Sequence, residues 1–283
     1  MQKFLLAVIG LAALLSPAVA FDTASYVPKG KVNSYTKINY TIVSRFGEYY
    51  RSPALRFVHI FKNGREEEAS SYDPQNKLVD RMTFEYDEAG RRTKTEYRDS
   101  HDIPMHRTVT EYDGEGRILS ETEFDSMGTL SGKTIYTYGG GKETQSFYDR
   151  EGALLSRIIS RRDEAGRISE INEYFGDGSF EQKEVYSYLE DGKISSIIIS
   201  IDDEGTSSSI IYRYTDNGIL QEIQTFNAAG EVTHREFYEH DEQGNMTAIK
   251  EYEVTKKFGD IANELKSMTT YAYDYQTELD AKK

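Results

Sequence analysis

The sequence predicts an all-β protein: an antiparallel meander of about a dozen repeated strands that forms one long, twisted or curled sheet, with a short C-terminal helix. An aromatic-Asp-x-x-Gly turn motif recurs along the chain. Runs of about eight residues, rich in Ile, Thr, Tyr, Phe and Val and free of Pro, separate these motifs, as expected for strands of ordinary length. The chain also has 22 Tyr and 13 Phe but no Trp, and tyrosine favours half-buried sheet faces.

The N-terminus has the pattern of an export signal. A short basic start, MQK, precedes the apolar run FLLAVIGLAALL (residues 4–15), and Ala18-Val19-Ala20 is a small-x-small cleavage site. The apolar run is shorter than the roughly 20 residues of a membrane helix. We therefore predict a signal peptide over residues 1–20 and export to the periplasm, the cell exterior or the cell surface of a bacterium.

Three further segments follow the signal. Residues 21–56 contain no turn motif and are predicted to be irregular. Residues 57–254 are predicted to form the β-strand and turn repeat domain, which opens with a hairpin across Asn63-Gly64, a dipeptide typical of two-residue turns.

Residues 255–283 are predicted to form a C-terminal helix followed by a final strand or tail. Ile261, Leu265 and Met268 have the spacing of one helical stripe. Such atypical ends would cap the edges of a repeat array.

The repeat unit is a turn and a strand. Asp favours the first position of a type I turn, where its carboxylate bonds the backbone, and Gly accepts the positive φ at the turn's end. A type I turn followed by a left-handed Gly is a common short hairpin connection. From Gly116 onward, and counting a shortened copy that ends at Gly141, successive copies lie 11 to 14 residues apart. The copies end at Gly90, Gly116, Gly128, Gly152, Gly166, Gly178, Gly192, Gly205, Gly218, Gly230 and Gly244.

Some copies are degenerate. YDPQN ends at Asn76, YRDSH occupies residues 97–101, and YGGG at 138–141 is shortened. The two best copies, DEAGR at 87–91 and at 163–167, are six units apart. Since consecutive turns of a meander lie on opposite rims, both are predicted on the same rim, with a structural repeat of about 26 residues.

The strand faces are not cleanly apolar. In FEQKEVYSYL (180–189), Phe180 and Tyr186 share a face with Gln182 and Glu184. A sandwich with a dry core would show clean alternation. The pattern favours a single sheet that is wet on much of both faces.

The motif resembles the YD repeat of bacterial RHS-type wall and surface proteins. The best matches are FEYDEAGRRTKTEY (84–97), TEYDGEGRILSETEF (110–124) and RRDEAGRISEINEY (161–174), and the resemblance extends over about residues 72–252. It implies strand-rich shells or spirals that enclose cargo or bind partners. Fewer units, variable spacing and the lack of room for a toxin domain set this chain apart, so the resemblance bears on architecture and not on activity.

Composition excludes several classes of function. The formal net charge of −14 makes nucleic acid an improbable partner, because nucleic-acid binding needs basic clusters. The absence of Cys removes disulfides, thiol catalysis and Cys-ligated metals. No run after residue 20 approaches the length of a membrane helix. The oligomeric state is left open.

No catalytic, cofactor or metal site is predicted. The acidic turns at 112–116, 202–205 and 240–245 offer two or three oxygens each, whereas Ca²⁺ needs six to eight. No H-E-x-x-H, G-x-S-x-G, S-x-x-K or phosphate-binding loop occurs, and paired carboxylates are too common to identify a glycosidase. The five histidines are interpreted as loop and strand residues: His59, His101, His106, His234 and His240.

The sequence thus favours an exported, non-catalytic repeat protein that acts as a binding or structural module for a protein or glycan partner. The aromatic residues before the turns serve the sheet or bind such a ligand. Two alternatives stay open. The first is an outer-membrane β-barrel, which requires an apolar outward band; the second is a hydrolase with an unrecognised carboxylate site.

Overall fold

The computed structural model describes residues 26–46, 48–201, 207–257 and 260–276. The predicted signal peptide lies outside these residues. The described chain is all β and contains no helix, so the predicted C-terminal helix is wrong. None of the described segments forms a helix long and apolar enough to cross a membrane. The strands are β1 Val32–Arg45, β2 Glu48–Lys62, β3 Arg65–Tyr72, β4 Leu78–Tyr86, β5 Arg92–Asp99, β6 Pro104–Tyr112, β7 Ile118–Asp125, β8 Leu130–Gly139, β9 Lys142–Asp149, β10 Leu154–Arg162, β11 Ile168–Phe175, β12 Phe180–Tyr188, β13 Ile194–Ser200, β14 Ser207–Tyr214, β15 Leu220–Phe226, β16 Val232–His240, β17 Met246–Lys257 and β18 Asp260–Tyr275.

The sheet is a closed barrel. Each strand pairs antiparallel with the next in sequence, and β1 pairs with both β2 and β18. Lys37, for example, lies between Phe57 of β2 and Tyr271 of β18. The predicted open, twisted or curled sheet is therefore wrong, and closure removes the free edges that such a sheet would expose.

The turns have the predicted chemistry. In the turn at 87–91, the Gly90 amide donates to the Asp87 carbonyl and the Asp87 amide donates to the Arg91 carbonyl, both at 3.0 Å. Gly90 has φ +84°, which a residue with a Cβ rarely adopts. At the degenerate copy the turn spans residues 99–103, and Asp102, just after the predicted 97–101, takes the left-handed conformation.

Turns that follow even-numbered strands share one end of the barrel, the first rim, and turns that follow odd-numbered strands share the second rim. DEAGR at 87–91 follows β4 and DEAGR at 163–167 follows β10, so both lie on the first rim, as predicted. The predicted repeat of about 26 residues is also confirmed: Asp87 and Asp113 begin neighbouring turns of this rim. The hairpin at Asn63-Gly64 forms as expected, with both residues at positive φ.

Both ends of the chain differ from the prediction, because each supplies long strands. The described part of residues 21–56 is not irregular: it forms β1 and the first half of β2. The expected helix residues belong to β18, where Leu265 pairs with Tyr252 and Met268 pairs with Tyr40. These strands close the barrel, and the pairing on both sides of β18 outweighs the helical spacing of its apolar residues.

The closed wall is wide enough to surround a lumen. Eighteen strands about 4.8 Å apart and tilted by about 40° give a backbone diameter of about 35 Å if the section is circular. Its buried apolar residues form two clusters, each on neighbouring strands. Phe57, Ala69 and Met82 form one cluster on β2 to β4. The second lies across the barrel on β13 to β15 and consists of Ile197, Ile199, Ile210 and Ile223.

Candidate functional site: the lumen wall

Burial distinguishes the two faces of the sheet. Side chains inside a closed sheet converge, whereas those outside diverge, so the more buried face is the inward one. Phe57 and Ala69, which are 2% and 0% exposed, lie on that face, while Ile60, on the opposite face of β2, is 40% exposed. Both apolar clusters therefore line the lumen.

Strand register extends the inward face around the wall. One row runs from His59 through Ala69, Met82 and Tyr97 to His106, each opposite the next on a neighbouring strand. A second row contains Tyr136, Gln145, Ile158, Glu173 and Gln182. The lumen wall thus combines tyrosine, aliphatic and acidic side chains, and Lys37, opposite Phe57, adds a cation.

Several inward carboxylates at mid-height are held by neutral donors, whereas Glu66 and Glu143, near the first rim, contact Arg92 and Arg162. The Tyr136 hydroxyl donates to Glu121 at 2.6 Å, and the Gln182 amide donates to Glu173 at 3.1 Å. Tyr186 and Tyr238 donate to the carboxylates two residues before them, Glu184 and Glu236, at 2.5 Å, and Ser71 donates to Asp80. Neutral donors fix a carboxylate without cancelling its charge, so the mid-height lumen carries net negative charge.

The outward face binds its acids differently. Glu96 lies 2.9 Å from the Lys94 ammonium and also contacts the Arg98 guanidinium. Glu170 bonds Lys183 at 2.7 Å, and Glu222 bonds Arg235 at 2.6 Å. These three outward carboxylates are thus paired with bases, unlike the inward carboxylates at mid-height.

A ladder of tyrosines and cations runs along the first rim. The Tyr112 hydroxyl donates to the Arg92 carbonyl at 2.7 Å, and Tyr138 donates to the Ile118 carbonyl at 2.8 Å. Tyr86, Tyr188 and Tyr214 make the same bond, each to a carbonyl 20 residues earlier. Cationic side chains from the turns pack over these rings, including Arg91, Arg117 and Arg167.

The turn aspartates complete this ladder. Asp163 accepts the Ala165 and Arg167 amides at 3.0 and 2.9 Å and the Arg167 guanidinium at 2.8 Å. These bonds hold the pKa of Asp163 below its ordinary value, with the Arg167 side chain as the largest cause. The pKa of Asp87 is lowered mainly by its backbone bond from Arg91. The aromatic residues before the turns, such as Tyr112, therefore have a structural role, because each joins neighbouring hairpins of the first rim.

In two of the three acidic turns considered as calcium sites, the Asp side chain already has hydrogen-bond partners within the protein. At 112–116, Asp113 is already bonded by the Glu115 and Arg117 amides and the Arg117 guanidinium. At 240–245, Asp241 accepts the Asn245 amide and the Tyr275 hydroxyl. The turn at 202–205 lies outside the described residues.

The histidines are scattered. His59 bonds Glu66 at 2.6 Å and stacks on Tyr35, and His106 stacks on Tyr97. His101, His234 and His240 lie in separate places on the rims. Among the described residues no group of three or more His, Asp or Glu is placed to hold a metal ion.

The negative charge of the lumen was not predicted from the sequence, although the sequence contains a pattern that indicates it. The pairs Glu184/Tyr186 and Glu236/Tyr238 are two residues apart, a spacing that puts both side chains on one face of a strand. The sequence does not reveal which face is inward, because that depends on closure.

Comparison with known proteins gives fold-level similarities only. No protein-family model matches the chain, and no curated protein matches it. A porin-like protein from Bacteroides uniformis ATCC 8492 aligns at 12% identity and a TM-score of 0.45, over 86% of this chain and 98% of that one. The TcdB2-TccC3 complex with Cdc42 aligns at 14% identity and a TM-score of 0.26, over 75% of this chain and 16% of that one.

A protein of unknown function from Bacteroides fragilis NCTC 9343 aligns at 14% identity and a TM-score of 0.20, covering 62% of this chain and 94% of that one. The recurring turns of the barrel support the resemblance to YD-repeat proteins only as a loose similarity among repeat proteins. The expectation of an open β-hairpin binding module is wrong, because the wall is closed. The structure supports the β-barrel alternative.

Proposed function

We propose that this chain is an exported, non-catalytic, hollow β-barrel that acts at the bacterial outer membrane or cell surface and receives cationic solutes in its lumen. The observation that carries the proposal is the difference between the two faces of the wall. Carboxylates such as Glu184 and Glu236 are bonded inside by neutral tyrosines, whereas Glu222 outside is bonded by Arg235.

The export signal supports the location, and the closed wall suits a chain outside the cytoplasm because it leaves no free edge strand. The N-terminal pattern at residues 1–20 directs a bacterial chain out of the cytoplasm.

Charges on the outward face determine whether the wall of such a barrel can be embedded in a membrane. Arg81 and Glu68, or Lys183 and Glu170, form ion pairs at mid-strand, and placing them in hydrocarbon would cost several kcal/mol per ion. The outward face of the described wall has no unbroken apolar band of the kind a lipid-embedded barrel requires. We therefore propose that the barrel is held at the membrane surface and that its wall remains in water.

Cell fractionation tests the location. We expect the processed chain to be recovered with the outer envelope, and to be released by carbonate or high salt because its wall is not embedded. Recovery in the cytoplasm or the soluble periplasmic fraction would contradict the location, and release by detergent alone would contradict the surface attachment.

A matched pair of triple variants tests the lumen. The inward variant replaces Glu173, Glu184 and Glu236 with Gln, and the outward variant replaces Glu96, Glu170 and Glu222 with Gln, so both change the net charge equally. We expect calorimetry with a linear polyamine to show weakened binding for the inward variant alone, and no binding of a polyanion of similar length. Equal losses in the two variants would show that overall charge, and not the lumen, binds the polyamine.

A further inference from the structure

Two hairpins extend beyond the second rim. Residues 48–55 of β2 pair with β1 alone, because the neighbouring strand β3 ends at Tyr72, opposite Arg56. These eight residues correspond to about 26 Å of strand. Beside them, the β17–β18 hairpin continues past the last β1 partner of β18, Ser267, as far as the Lys257–Asp260 pair. We call the described parts of residues 42–51 and 254–262 the hairpin tips.

The tips expose large apolar and aromatic side chains to solvent. Phe46 is fully exposed, Ile261 is 78% exposed, and Tyr50 is 56% exposed. Phe46 also has φ +54°, a conformation that costs free energy in a residue with a Cβ. An exposed aromatic residue held at this cost is poorly explained by folding alone.

The charge of the tips is opposite to that of the rest of the chain. The tip sequences contain four basic and two acidic residues, a net charge of +2 on a chain of net −14. Arg45 and Lys256 are exposed, and Arg51 lies over the Tyr40 ring, 5.2 Å from its centroid. The charged residues are Arg45, Glu48, Arg51, Lys256, Lys257 and Asp260.

Exposed aromatic residues beside basic residues match the surface of an anionic bilayer. Tyrosine and other aromatic residues favour the depth of the headgroups, and basic side chains are attracted to the negative surface potential. The chain's excess negative charge would otherwise repel such a surface. We infer that the hairpin tips bind the barrel to an anionic lipid surface, with Phe46, Tyr50 and Ile261 at the level of the headgroups. This inference rests on the proposed location at the envelope and names the contact that produces it.

Tryptophan fluorescence offers a direct test, because the chain has no Trp. The variant Phe46→Trp puts one fluorophore in a tip. Met127→Trp is the matched control, since Met127 is 86% exposed in a turn of the same rim. With vesicles containing phosphatidylglycerol we expect a blue shift of the emission for Phe46→Trp and none for Met127→Trp. A shift in both variants, or in neither, would overturn the inference.

Vesicle flotation measures how strongly each variant binds the vesicles. We expect the triple variant Phe46→Ser, Tyr50→Ser and Ile261→Ser to lose vesicle binding, and the control triple Ile103→Ser, Met127→Ser and Phe175→Ser, also on the second rim, to retain it. Arg45→Gln and Lys256→Gln should each weaken binding about fivefold at low salt, and zwitterionic vesicles should bind weakly.

Two outcomes separate this inference from the proposed location. If the wild-type chain fractionates with the envelope and the tip variant does so equally, the location stands and the tips do not produce it. If the tip variant changes only the sedimentation coefficient, from a dimer to a monomer, the tips join two copies of the chain and the lipid inference is wrong. Recovery of the wild-type chain in the soluble fraction, combined with tip-dependent vesicle binding, would contradict the location alone.

Discussion

The guanidinium of Arg91 lies 4.7 Å from the centroid of the Tyr112 ring, on the next turn of the same rim. Arg91 is held in place by Asp87, which its Nε bonds at 2.7 Å, and Tyr112 is held by its bond to the Arg92 carbonyl. The same arrangement recurs at Arg117 and Tyr138. The recurring Asp, Arg and Tyr residues of the turn motif therefore join each hairpin to the next one along the rim.

A double-mutant cycle tests this contact. Arg91→Ala and Tyr112→Leu should show a coupling free energy of about 0.5–1 kcal/mol in urea unfolding, the usual size of a partly exposed cation–π pair. The control cycle combines Arg91→Ala with Tyr138→Leu, whose ring contacts Arg117 instead. We expect no coupling in the control, and equal coupling in both cycles would show that the rim responds as a whole.

The turn glycines give a second prediction. Gly166 has φ +80° and open space around an added Cβ, so Gly166→Ala tests backbone conformation alone. We expect a loss of about 1–2 kcal/mol in the free energy of unfolding. Gly90 is less suitable, because a Cβ there would also meet the Arg65 guanidinium at 2.6 Å.

Gly114 supplies the control for that change. It lies in an equivalent turn, has no positive φ and also has open space around an added Cβ. Gly114→Ala should be neutral or stabilising by up to about 1 kcal/mol. If the two substitutions had the same effect, left-handed geometry would not be what the motif glycine provides.

The repeat was predictable from the sequence because it is local. A turn such as 87–91 is determined by an aspartate and a glycine three residues apart, and the order of strands follows from short connections. Closure was not predictable, because it depends on pairs such as Thr41 and Ser267 that are far apart in sequence. The C-terminal helix was predicted for the same reason: the spacing of Ile261 and Leu265 is visible locally, whereas the strands on either side of β18 are not.

The same contrast between local pattern and long-range pairing applies to the lumen wall. Alternating Glu and Tyr can be read from β12 or β16, but whether Glu184 and Glu236 face a lumen or bulk water depends on the curvature of the complete sheet. The mixed faces predicted a sheet that is wet on both faces, and the outward face of the described wall does carry ion pairs such as Lys183–Glu170. Mixed faces did not exclude closure, because closure depends on the pairing of β1 with β18.

The pH dependence of the turns gives a third prediction. The bonds from Arg167 lower the pKa of Asp163 below its ordinary 3.8. A lowered carboxyl pKa stabilises the folded state above the unfolded pKa, and this stabilisation is lost as the pH falls through the folded value. The difference in unfolding free energy between the wild type and Asp163→Asn should therefore be constant above about pH 5 and shrink below pH 4.

The turn at Asn227 is the control for that titration. The Asn227 side chain accepts the Ala229 and Glu231 amides as Asp163 accepts those of its own turn, but it does not titrate. The penalty of Asn227→Ala should therefore change with pH only through its bond to the Glu231 carboxylate, and Thr215→Ala, which removes the acceptor of the Ile219 amide, should cost the same at every pH. A penalty for Asp163→Asn that also stayed constant would mean that the carboxylate charge contributes nothing to the turn.

The last prediction concerns the attachment of the chain's start to the first rim. Asn245 is completely buried. Its side chain accepts the Lys29 amide at 2.6 Å and the Tyr26 hydroxyl at 2.9 Å, and it donates to the Lys29 carbonyl at 3.0 Å and the Tyr275 hydroxyl at 2.7 Å. The side-chain amide of Asn245 thus joins the segment before β1 to β18 and to the turn after β16.

Asn245→Ala leaves these buried groups without partners, which should cost about 2–3 kcal/mol of unfolding free energy. The loss should be concentrated at the N-terminal segment, so we expect faster amide exchange at Lys29 and faster proteolysis near Tyr26. Asn227→Ala, which removes an exposed turn asparagine, should cost about 1 kcal/mol and leave exchange at Lys29 unchanged. If Asn245→Ala lowered global stability with no change at Lys29, the residue would serve its own turn and not the attachment of the segment.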